Sequence, residues 1–103
     1  MNKEAQQLLL RNFFSAYFHE DWPCEADSPE SVFTGYAQSS SPHERRMLAE
    51  AILEYSRAFA DDKELEESLC RDLGCYYLPS ADGLSAKGWL EHAANGLLRA
   101  SLT

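Results

Sequence analysis

From Ala5 to Phe18 the apolar positions Ala5, Leu8, Leu9, Phe13, Ala16 and Tyr17 recur at three- and four-residue spacing, and Phe14 and Phe18 widen the stripe. That period predicts a first helix with a broad, deeply packed face. Polar residues dominate from Glu20 to Asp27, and Pro23 lacks an amide hydrogen and disfavours helical geometry at Trp22, so a loop is predicted there. Ser28-Pro29-Glu30 then supplies a capping hydroxyl, a proline whose missing donor costs nothing in a first turn, and an acid at the positive end of the helix dipole. The second predicted helix starts there and buries Val32, Phe33, Tyr36 and Ala37. Ser39-Ser40-Ser41-Pro42 interrupts it, and Ser41-Pro42-His43-Glu44 repeats the start signal as a capping box, with Glu44 reaching back to the Ser41 amide.

The third helix is predicted from about Pro42 to Ala60. Met47, Leu48, Ala51, Ile52, Tyr55 and Phe59 form its apolar stripe, opposite Arg46, Glu50, Glu54 and Arg57. Asp61-Asp62-Lys63-Glu64 opens a shorter fourth helix in which Leu65, Leu69 and Leu73 recur every fourth residue before Gly74, a natural stop, and whose other side is acidic. Cys75 to Pro79 reads as an extended segment against the core, and Ser80 to Gly83 as a turn. Ser85 caps a last helix with Trp89, Leu90, Ala93, Ala94, Leu97 and Leu98 on its apolar face, although Gly88 and Gly96 lower its intrinsic stability. The expected fold is therefore all-α, an irregular bundle of about five helices forming a single domain over residues 1–103.

Composition narrows the function. A chain with 45% hydrophobic and 12% aromatic residues can bury a core, which excludes wholesale disorder. Seventeen acidic residues against nine Lys and Arg give a net charge of −8, which repels a phosphate backbone or an anionic membrane. No nucleic-acid partner and no membrane partner is expected, and a basic partner is favoured. The apolar run Leu8-Leu9-Leu10 is cut off by Arg11 and Asn12, too short for a signal-peptide core or a membrane span. Cys24, Cys70 and Cys75 are odd in number and contain no CxxC pair, so a cytoplasmic protein with reduced thiols is expected. His19, His43 and His92 do not add the paired spacing of a metal site, and neither metal nor cofactor is predicted.

Enzyme readings find little support. In His19-Glu20-Asp21 a base sits beside carboxylates, but consecutive helical side chains diverge by about 100° and do not converge on one reacting atom unless the helix has already ended. Ser39-Ser40-Ser41 lacks the sharp turn of a nucleophile elbow, and no Gly-rich phosphate loop is present. Asp21, Glu25 and Asp27 beside Cys24 disfavour its thiolate and make it a poor nucleophile.

The charge is concentrated. Between Arg11 and Arg45 there is no Lys or Arg, while Glu20, Asp21, Glu25, Asp27, Glu30 and Glu44 fall in that interval. Asp61, Asp62, Glu64, Glu66 and Glu67 form a second run, diluted only by Lys63. Either run alone reads first as a solvated face. Trp22, Phe33 and Tyr36 lie beside the first run, however, and aromatic anchors ringed by charge are the make-up of a protein interface, although Trp22 also suits the core.

Ala16-Tyr17-Phe18-His19-Glu20-Asp21-Trp22 resembles the YFHQDW-like signature near the start of bacterial contact-dependent growth inhibition (CDI) immunity proteins, the CdiI-like family, with Glu20 in place of Gln. The likeness continues through a middle helix after a Ser/Pro turn, Leu73-Gly74-Cys75-Tyr76-Tyr77-Leu78-Pro79 and Ser85-Ala86-Lys87-Gly88-Trp89-Leu90, spanning about Leu8 to Leu98. It implies a non-catalytic cytoplasmic antidote that binds the C-terminal toxin domain of a cognate CDI effector. Many such toxins are nucleases with a basic phosphate-gripping groove, which an acidic protein can occupy as a nucleic-acid mimic. On that reading Glu20, Asp21, Glu25, Asp27 and Glu30 pair with toxin cations, and Trp22 and Tyr36 act as anchors. The alternative is a non-catalytic regulatory or adaptor module that binds a basic protein or peptide; a small enzyme is a more distant third.

Overall fold

The local start and stop signals govern where the helices begin and end. The computed structural model describes residues 2–101. It contains α1 (Lys3–Tyr17), α2 (Trp22–Glu25), α3 (Pro29–Ser39), α4 (Pro42–Arg57), α5 (Asp62–Leu73), a 3-10 turn (Pro79–Asp82) and α6 (Ala86–Ser101). No strand occurs among the described residues. Ser28 Oγ accepts the Ser31 amide while Ser31 Oγ accepts the Ser28 amide, a capping box closed by serine at the head of α3. Ser41 and Glu44 form the predicted box on α4, and the Ser41 amide holds the Glu44 carboxyl below its ordinary range. Asp61 caps α5, and Gly74 ends it at φ 71°, where an added Cβ would also lie 3.3 Å from Ser15 Cβ on α1.

Four expectations change. The stretch from Glu20 to Asp27 is not all loop: Trp22 to Glu25 form one helical turn, because a proline in a first turn forfeits no helical hydrogen bond and the Trp22 ring is held by the core. The described residues therefore hold six α-helices rather than about five. Helix α4 stops at Arg57, since Ala58 and Phe59 tighten into a turn that leaves Asp61 free to cap the next helix. The buried face of α1 is rotated from the expected stripe: Leu10 is fully buried, whereas Leu8 is 58% exposed and Ala16 and Tyr17 also face solvent. A Leu8-Leu9-Leu10 run fits several helical registers, and the ring of Phe14 decides between them by packing inward.

Helices α4 and α6 make the central pair. Helix α1 packs across α4 and α5, α3 lies on α6, and all the helices except α2 contribute buried apolar residues to one core. Three helix ends are closed from elsewhere in the chain. The Asp62 carboxylate, at the start of α5, accepts the amides of Ala86 and Lys87 at 2.8 Å each and so caps α6, together with Ser85 Oγ. Arg45 of α4 donates to the carbonyls of Ala37 and Ser40 at the end of α3. Arg11 Nε of α1 donates to the Asp72 carbonyl at the end of α5. In each case the sign suits the dipole, an acid at an N-terminus and a base at a C-terminus. Glu66, one turn beyond Asp62, accepts both the amide and the hydroxyl of Ser80 and fixes the 3-10 turn. The acidic side predicted for this helix is thus partly consumed as structure.

Two outcomes follow from this packing. Asp62→Ala should lower stability in urea unfolding by about 1–2 kcal/mol, the cost of a lost cap, whereas Glu67→Ala on the exposed side should stay within about 0.5 kcal/mol; equal effects would refute the capping role. Burial pushes the Cys75 thiol from its ordinary 9.0 up to about 12, while Cys24 and Cys70 are exposed. Two thiols should therefore react promptly with a disulfide reagent at pH 8, and the third only on unfolding. Because the folded state holds the Cys75 proton more tightly, this thiol supports stability below pH 9.0 and its contribution falls as pH rises toward about 12.

Candidate functional site

The acidic segment is suspended from a cluster of rings. Phe18, which ends α1, is wholly buried, with ring centroids 5.5 Å from Trp22, 5.7 Å from Phe33 and 5.6 Å from Trp89. Its carbonyl accepts the Tyr76 amide at 2.8 Å, which ties the extended segment after α5 to the end of α1. Trp22 returns the chain to this cluster, edge-on to Tyr77 at 5.7 Å. Glu20 and Asp21 leave the core between these two anchor points, and Cys24, Glu25 and Asp27 follow Trp22 on the exposed side.

All five carboxylates of the segment, Glu20, Asp21, Glu25, Asp27 and Glu30, are exposed. They are not equivalent. His19 Nδ1 accepts the Asp21 amide at 3.1 Å, so Nε2 carries the proton and donates to Glu25. Glu30 lies 3.8 Å from His92 Nε2 on α6. Glu20, Asp21 and Asp27 have no side-chain hydrogen bond or ion pair among the described residues and present their full charge to solvent. Trp22 and Tyr36 are both partly buried: Trp22 against Phe18 and Tyr77, Tyr36 against Phe13 and Tyr17. They stand at the boundary of core and surface, and each leaves only part of its ring exposed.

His19 and the three serines Ser39, Ser40 and Ser41 are engaged in structural hydrogen bonds, whereas Cys24 is an exposed free thiol. Both nitrogens of His19 are engaged, which leaves neither for a substrate proton. Ser39 and Ser40 donate their hydroxyls back to the Gly35 and Tyr36 carbonyls at the end of α3, and Ser41 caps α4. Tyr55, Ser68, Asp72 and Arg71 form a hydrogen-bonded chain between α4 and α5, in which Arg71 and then Ser68 hold the Asp72 carboxyl below its ordinary range. Among the described residues no three His, Cys, Asp or Glu side chains converge as metal ligands, and no helix is long and apolar enough to cross a membrane.

The structure brings together residues that spacing along the chain did not connect. A groove of about 630 Å³ runs between α3 and α6, with Glu30, Phe33, Trp89 and His92 on its walls and Arg45 and Arg99 also lining it. A recess of about 430 Å³ adjoins it, formed by Ser28 to Glu30, Tyr77, Asp82, Leu84, Gly88, Trp89 and His92. Glu30, Trp89 and His92 belong to both. Tyr77, buried and donating to Asp82 at 2.7 Å, has its hydroxyl pushed up to about 12, first by desolvation and then by that carboxylate. Nothing in the spacing along the chain pairs Glu30 with Asp82.

A family model described as CdiI immunity protein matches residues 6–97. No curated protein and no solved structure matches the chain.

The divided role of Trp22 has a measurable consequence. Trp22→Ala should destabilise the fold by about 2 kcal/mol, less than the roughly 3–5 kcal/mol of a fully buried aromatic. Thermal or urea unfolding checks this; a change under about 0.5 kcal/mol would mean that the ring does not hold the segment.

Proposed function

From membership of the CdiI immunity protein family, to which the chain belongs over residues 6–97, we propose that it neutralises its toxin by laying the exposed acidic segment from Glu20 to Glu30 into a basic groove of a nuclease domain. An immunity protein acts by binding its toxin. The observation that carries it is the run of exposed carboxylates at Glu20, Asp21, Glu25, Asp27 and Glu30, in a stretch of chain from Asn12 to Glu44 that contains no Lys or Arg. A nuclease must hold phosphates with cations, and a surface that presents carboxylates at the same groove competes with substrate for those cations. The protein then works by occlusion, without turnover of its own.

The arrangement suits that task in two ways. The backbone carrying the carboxylates is fixed at Phe18, at Trp22 and at the Ser28 cap, so little chain entropy is lost on binding. Partly exposed edges of Trp22 and Tyr36 supply apolar contact beside the charges, the usual composition of an interface centre and its rim. In this reading the binding unit is the whole bundle as a single domain, acting in the cytoplasm where the incoming toxin meets its substrate.

Reversal of the three unpaired carboxylates tests the proposal without disturbing an internal contact. Glu20→Lys, Asp21→Lys and Asp27→Lys together should leave circular dichroism unchanged and weaken binding to the toxin domain encoded by the neighbouring reading frame by roughly 2–5 kcal/mol. Glu64→Lys with Glu67→Lys, on exposed α5, should cost under about 1 kcal/mol. Raising salt should slow association of the parent protein much more than it speeds dissociation. A salt-independent on-rate would overturn the electrostatic reading, and protection in co-expression that survives the first reversal and fails with the second would move the interface to α5.

A further inference from the structure

The recess beside the acidic segment has a chemistry of its own. Its ionisable lining is Glu30, Asp82, His92 and Tyr77, with no Lys or Arg, whereas the adjoining α3–α6 groove is lined by Arg45 and Arg99. A cation is therefore favoured in the recess and disfavoured next door. Its walls include Trp89 and Tyr77, whose ring centroids are 4.9 Å apart at 55°, and Leu84, which is 47% exposed. Trp89 and Tyr77 are 6% and 7% exposed and show only a small part of each ring beside Leu84, which suits an apolar stem. Of the Asp82 oxygens, Oδ2 accepts the Tyr77 hydroxyl, which leaves Oδ1 for an incoming donor. The Glu30 carboxylate lies 3.8 Å from His92 Nε2 through Oε1, beyond hydrogen-bond distance, and its Oε2 has no partner among the described residues.

We propose that this recess receives one arginine side chain of the partner, its guanidinium between Glu30 and Asp82 and its stem along Trp89 and Leu84. Arginine fits better than lysine because its fork of donors reaches two separate acceptors at once, where a compact ammonium satisfies one carboxylate and stays hydrated. The site is continuous with the proposed interface, since Ser28 to Glu30 are both its rim and the end of the acidic segment. It thus extends the binding surface from the N-terminal third of the chain to the 3-10 turn and α6. The inference rests on the reading that the partner is a basic toxin domain which meets that segment.

Two tryptophans make the test internally controlled. Isotope-labelled protein is titrated with Nα-acetyl-arginine amide and with its uncharged isostere Nα-acetyl-citrulline amide, and the indole N–H signals of Trp89 and Trp22 are followed. The arginine compound should shift the Trp89 signal saturably and leave Trp22 nearly unmoved. Citrulline, or the double variant Glu30→Gln with Asp82→Asn, should raise the half-saturating concentration at least about tenfold, a difference of about 1.4 kcal/mol. Equal responses to arginine and citrulline, or no Trp89-selective saturation, would overturn the proposal. The same double variant is then measured against the toxin domain, where a loss of at least about tenfold in affinity is expected. If the double variant binds toxin normally while the Glu20, Asp21 and Asp27 reversal fails to bind, the arginine receptacle is wrong and the occlusion reading stands. If both bind normally, the interface as a whole is misplaced.

Discussion

Everything on the candidate surface depends on the burial of Phe18. This one ring touches the aromatic side chains of α1, α2, α3, α6 and the segment after α5, and its own carbonyl is a hydrogen-bond acceptor for that segment. A residue that ends a helix normally leaves the core; here it is at the centre of it, so the chain that follows must emerge at a fixed place and direction. The short α2 turn is a consequence, since Trp22 has to come back to the same cluster within four residues. The polar residues between and beyond those two rings have no room inside and are displayed.

The negative charge of the molecule divides into two kinds. Asp62 and Glu66 are spent on amides and a hydroxyl of the C-terminal region, Glu44 on the Ser41 amide, and Asp72 on Ser68 and Arg71. Glu20, Asp21 and Asp27 have no such duty among the described residues. Net charge alone would not separate these groups. A carboxylate already saturated by hydrogen bonds within its own fold has little left to give a partner, whereas one surrounded only by water retains its field and exchanges water for a cation on binding.

How far the sequence could be read follows the range of the interactions involved. The Ser28, Ser41, Asp61, Gly74 and Ser85 signals act over about one turn, and the helix ends lie where they indicate. The inward face of α1 was misjudged because three consecutive leucines satisfy more than one register, and only the partner helices choose Leu10 over Leu8. The Asp62 contact with Ala86 and the Glu66 contact with Ser80 join residues with no shared periodicity, so an acidic helix face was legible but its use was not. The same limit applies to the site: the Glu20 to Glu30 run is visible as composition, while the approach of Glu30 to Asp82 across one recess exists only after folding.

The borrowed caps bear on how the molecule comes apart. Helices of 11 to 16 residues are marginal alone in water, and α3, α5 and α6 each have an end closed by a side chain that belongs to a different helix. Secondary structure here is therefore a property of the assembled bundle: release of α4 uncovers the last carbonyls of α3, and release of α5 uncovers the first amides of α6. Such mutual dependence leaves few partly folded forms worth populating. Unfolding is therefore expected to be a single concerted step, in which the acidic surface is either presented whole or lost with everything else.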